Sequence, residues 1–111
     1  MNRLFLFGYE TPTERQSNSE HGTDFESSTG VWIASASEQE AVDWGRAIAE
    51  RFVTWLFEHE GKPPYSWING QFAHWVENDL AMLSSANDLP IVPVGRMPDF
   101  ALLKMPPEAL T

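Results

Sequence analysis

From Glu38 to His59 apolar residues recur at intervals that only an α-helix brings to one side. At 100° per residue, Ala41, Trp44, Gly45, Ile48, Phe52, Trp55, Leu56 and His59 fall within roughly 120° of arc. Val42, Ala49, Val53 and Phe57 widen the stripe, while Asp43, Glu50, Thr54 and Glu58 mark the wet side. Ser37 and Glu40 form a capping box that opens the helix, and Gly61 with Pro63 and Pro64 closes it. An apolar arc this wide needs a sheet beneath it and a further element beside it. Gly45 costs about 1 kcal/mol relative to Ala in a helix interior. A ring lying against its backbone, from Trp32 or elsewhere, would account for it. This geometry predicts that Ile48→Asp or Phe52→Asp unfolds the protein and that Glu50→Lys does not.

The rest of the chain supplies the sheet. Arg3 to Tyr9 reads as a strand, and because Leu4, Phe5, Leu6 and Phe7 are apolar on both parities, both of its faces should be covered. Residues 10–23 hold no large apolar side chain and read as a polar, mobile loop. Two short strands, 24–28 and 31–35, are expected around Thr29-Gly30. The alternative is one strand over 25–34 with a bulge at Gly30. Ile68, Phe72, Trp75, Val76 and Leu83 share a helical face, predicting a second helix over about 67–86, although Asn69-Gly70 also suits a hairpin turn. Pro90 and Pro93 make the following segment an edge at best. Residues 97–103 form a closing strand or a short helix, and the tail from 106 to 111 should fray. The fold class is therefore α+β: a small, mostly antiparallel sheet of three to five strands, with the 38–59 helix packed on one face and the 67–86 helix beside it. The whole chain, 1–111, forms one domain.

Charge and missing motifs narrow the function. Seven basic residues against sixteen acidic leave a formal charge of −9. Nucleic acids and anionic membrane surfaces both recruit Lys and Arg, so neither is an expected partner. Residues 1–9 lack the run of roughly 7–15 apolar residues of a secretory signal, which points to the cytoplasm. The chain has no cysteine, so thiolate catalysis and Cys-ligated zinc are excluded. No G-x-S-x-G elbow or phosphate-binding glycine loop is present. No catalytic residue, metal or cofactor is assigned. His74 and Glu77 read as a surface pair on the second helix, and His59 as a cation suited to a helix C-terminus.

Four residues stand out as candidates for binding. Trp67 and Tyr65, next to Pro63-Pro64, sit in or beside a turn where aromatic side chains are half exposed and can anchor an interface. Trp32 belongs either to such a surface or to the core. Asp79 falls on the apolar face of the second helix, where an isolated carboxylate would need a donor or a raised pKa. A break in the helix would instead make it the cap of a short helix starting at Leu80. The acidic balance favours a binding module for a basic protein, of the kind that neutralises a toxin or nuclease. An aromatic-lined small-molecule or enzymatic site and a symmetric homodimer are the two other readings.

Overall fold

A strand with two apolar faces belongs inside a sheet, and the computed structural model, which describes residues 1–103, places it there. β1 (Asn2–Tyr9) runs antiparallel to β2 (Ser27–Ala34) on one side and to β3 (His74–Glu77) on the other. β4 (Ile91–Pro93) joins β2 in parallel, giving the order β3-β1-β2-β4. The long helix α2 (Glu38–His59) lies across one face, and the protein is α+β. Phe5, Phe7 and Tyr9 from β1 and Val31 and Ile33 from β2 meet Ile48, Ala49, Phe52, Val53 and Leu56 from α2 in a single core. Leu4 is equally buried, but it points to the other face. There Trp32 and the segment around Ala86 and Leu89 lie over the sheet.

Half of the expected capping box forms: Ser37 Oγ accepts from Glu40 N–H at 3.2 Å, but Glu40 reaches past the Ser37 N–H to that of Ala36, one residue earlier, at 3.0 Å. Gly45 is buried because the Phe5 ring lies against it; a β-carbon there would overlap that ring. The ring is Phe5, on the covered face, and not Trp32. Gly30 neither turns nor bulges. It pairs with Leu6 in an unbroken register from Asn2↔Ala34 to Tyr9↔Ser27. The two-strand reading of 24–35 therefore gives way to one strand, and a β-carbon at Gly30 would sit 2.8 Å from Phe5 O.

Residues 10–23 are not a loop. They hold α1 (Pro12–His21), opened by a complete capping box in which Thr11 Oγ1 accepts from Glu14 N–H at 3.1 Å and Glu14 Oε1 from Thr11 N–H at 2.9 Å. Pro12 is at its start, and Gly22, with φ 64°, closes it. Only Pro12 is buried in this helix. Its end signals are complete while its apolar period is missing, so a reading by hydrophobic spacing passes over it.

The second helix expected over 67–86 exists only at its end. Residues 68–70 form a 3-10 turn, Gln71 takes a left-handed φ of 58°, and β3 follows; α3 is confined to Leu80–Ser85. Phe72, His74 and Val76 face the core with period two, and Trp75 points the other way. Counted as polar, His74 hides that alternation. Its ring in fact packs 5.2 Å from Trp67 and 5.9 Å from Phe5. His74 and Glu77 thus lie on opposite faces of a strand and form no pair. Beyond β4, residues 100–102 form a 3-10 turn capped by Asp99, the helical alternative for 97–103. The expected frayed tail, 106–111, lies outside the described residues.

Candidate functional site

The four residues singled out for binding occupy two faces of the sheet and do not form one site. Trp67 is 1% exposed and stands in the core, where its indole N–H donates to Gly8 O at 2.8 Å. Phe7 meets it edge-on at 5.8 Å and Phe72 lies roughly parallel to it at 6.5 Å. An indole so enclosed cannot anchor a partner. The 3-10 turn folds Trp67 inwards, and Glu50 on α2 holds that turn by accepting from Ile68 N–H at 2.9 Å and Ser66 Oγ at 3.1 Å. Glu50, assigned to the wet side of α2, is in fact a tether.

Tyr65 is half-buried. Its hydroxyl accepts from Glu10 N–H at 2.8 Å and donates to Glu10 O at 3.2 Å, tying the end of β1 to the turn. The Arg15 guanidinium lies 4.2 Å from the centre of its ring, and Phe57 meets the ring edge-on at 5.1 Å. Burial drives the phenol pKa upward, with the Glu10 carboxylate adding to the effect, so the hydroxyl stays protonated.

Trp32 and Asp79 belong to the face away from α2. The Trp32 indole N–H donates to Ala86 O at 2.9 Å, fixing the segment that follows α3. Asp79 is exposed and caps α3, with Oδ1 accepting from Ala81 N–H at 2.9 Å and Met82 N–H at 3.3 Å. A capping carboxylate needs no other partner, so its apparent place on an apolar stripe disappears with the helix that implied it.

A surface the sequence did not flag lies around α1. Asn18 clamps the connection into β2: its amide donates to Glu10 Oε2 at 2.6 Å and Phe25 O at 2.9 Å, and its Oδ1 accepts from Phe25 N–H at 2.9 Å. Glu10, Asn18 and Asp24 line two adjoining open hollows. One, of about 600 Å³, is completed by Arg15, Lys62 and Phe57 among others. The other, of about 420 Å³, is completed by Phe25, Glu26, Gly70 and Phe72. Carboxylates beside an exposed Phe25 suit the stem and head of a lysine or arginine side chain. Among the described residues no three carboxylate or imidazole groups converge as metal ligands. No described helix is long and apolar enough to cross a membrane. Thr11-x-x-Glu14 followed by Gly22 was the sequence signal for this surface, since α1 builds it.

The chain matches no family model, no curated protein and no solved structure in comparisons with all three.

Proposed function

We propose that the protein is a small acidic binding module that pairs with a basic protein. The observation that carries this reading is the state of its charge. Of sixteen acidic residues few are paired with a base: among the described residues Arg15–Glu10, at 3.0 Å, is the one ion pair involving a lysine or arginine. Unpaired carboxylates spread over the surface raise encounter rates with cationic partners and reject anionic ones. The hollow lined by Asp24, Glu26 and Phe25 offers a basic side chain two carboxylates and a ring. Neutralisation of a toxin or nuclease is the form of the reading that this charge suits, and a cysteine-free chain allows it to work in the cytoplasm.

Affinity capture from the native host tests it, with elution at rising salt and mass-spectrometric identification. Raising ionic strength from about 0.1 M to about 1 M cuts the Debye length from about 10 Å to about 3 Å. A basic protein should therefore elute across that range, and Asp24→Lys with Glu26→Lys should weaken its retention. A captured partner that is acidic, or one indifferent to salt, refutes the proposal.

A further inference from the structure

The two edges of the sheet are built differently, and the difference points to a mode of binding. On β4, Trp32 N–H bonds inward to Pro90 O and Val94 N–H to Ala34 O, which leaves Ile91 and Pro93 facing outward. Pro93 has no N–H, so that edge offers a single donor. On β3, Gly8 N–H bonds to Ala73 O, and the antiparallel alternation then turns Trp75 and Glu77 toward β1. The N–H and C=O groups of both His74 and Val76 face away from the sheet, on a strand with no proline and no lysine. Natural edges are blunted with such residues; this one is limited only by its length of four residues and by Glu77 at its end.

The side chains at this edge have a definite chemistry. Trp75 is 45% exposed, on the face away from α2, and Leu80 and Met82 of α3 are exposed as well. Its indole N–H donates to Glu77 Oε2 at 3.0 Å, and Glu77 Oε1 accepts from the N–H groups of Asn78 and Asp79. Glu77 is thereby fixed at the end of the strand as a partly exposed carboxylate, two residues from Asp79. An apolar ring and two carboxylates beside open backbone groups complement an extended segment that carries lysine or arginine. A second copy fits poorly, because pairing two β3 strands brings together two chains of charge −9.

We infer that the free edge of β3 takes an extended lysine- or arginine-bearing segment of the basic partner as a fifth strand, bonded to the backbone of His74 and Val76 and packed on Trp75. This rests on the basic-partner reading but names a different surface from the hollow beside α1.

The probe is an alternating Lys-Val peptide of about eight residues, with a Glu-Val peptide of equal length as control. Added to the full chain, the Lys-Val peptide should slow amide exchange at His74 and Val76 by about tenfold and shift their NMR signals. The Glu-Val peptide should do neither. Glu77→Lys should weaken the Lys-Val peptide by about tenfold while the chain stays folded, read from unchanged amide signals along β1 and β2. Perturbation at Glu10, Asp24 and Glu26 with none at His74 and Val76 overturns the inference and leaves the basic-partner reading standing. No binding at any peptide concentration up to solubility counts against both. Protection of His74 and Val76 in the peptide-free protein, together with a dimeric mass, overturns the inference by making a second copy the occupant.

Discussion

Trp67 and Glu50 show how far one side chain's role depends on what the backbone does around it. Trp67→Phe keeps most of the packing but strands the Gly8 carbonyl in a buried site, at a cost of about 1–2 kcal/mol. Trp67→Ala adds a cavity and should cost about 3–5 kcal/mol in a denaturant titration. A variant as stable as the parent would remove Trp67 from the core. Glu50 accepts two hydrogen bonds from the turn that delivers Trp67, so Glu50→Lys should destabilise by about 1–2 kcal/mol. Glu58→Lys, exposed on the same helix, should stay within about 0.5 kcal/mol of the parent. Equal melts for the two lysine variants would rule out the tether. Both effects lie beyond sequence reading because the bonding partners of Trp67 and Glu50 are separated from them along the chain.

At the scale of elements, the helices show which signals travel in sequence and which do not. α2 was legible throughout, since a Ser37 cap, an apolar stripe and a Gly-Pro terminus agree. In α1 only the ends speak, and its body makes few apolar contacts, so its stability rests on its caps and on Asn18. Thr11→Ala should cost about 1 kcal/mol, seen as faster amide exchange across α1 with little change in the core strands. Uniformly faster exchange through β1 and β2 would show instead that α1 is integral to the core. Gly45→Ala turns a usual rule around. In an open helix it would gain about 1 kcal/mol. Here the new methyl group meets the Phe5 ring, so a lower melting point is expected. A higher one would mean that the ring gives way freely.

For the molecule as a whole, burial couples folding to alkaline pH. Burial, the largest cause, raises the Tyr9 hydroxyl from the ordinary 10.0 to about 12, with the Glu14 carboxylate adding to it. Tyr65 is raised as well, again chiefly by burial. An acid whose pKa is higher when folded binds its proton more tightly in the native state. Its contribution is therefore complete below pH 10 and declines as pH climbs toward about 12. Thermal melts from pH 8 upward should hold steady and then fall above pH 10, less steeply in Tyr9→Phe. A parent and a Tyr9→Phe variant that decline in parallel would place the cause elsewhere. The same scale decides where a partner can sit. Only the assembled sheet distinguishes a proline-blocked edge from an open one, or brings α1 against the start of β2.

The amino-acid order alone determined the long helix, the central strand, the α+β class and the acidic charge, because each is set by neighbours within a few positions or by a sum over residues. It could not determine whether 66–77 would coil or extend. Helical spacing was visible there while His74 masked the strand alternation, and the core offered by β1 and α2 selected the alternation. The places of Trp67, Tyr65 and Asp79 followed from that selection, and that of Trp32 from the pairing of β2 with β1. Tertiary packing decided them because burial depends on residues that meet across the sheet, and no local pattern records those meetings.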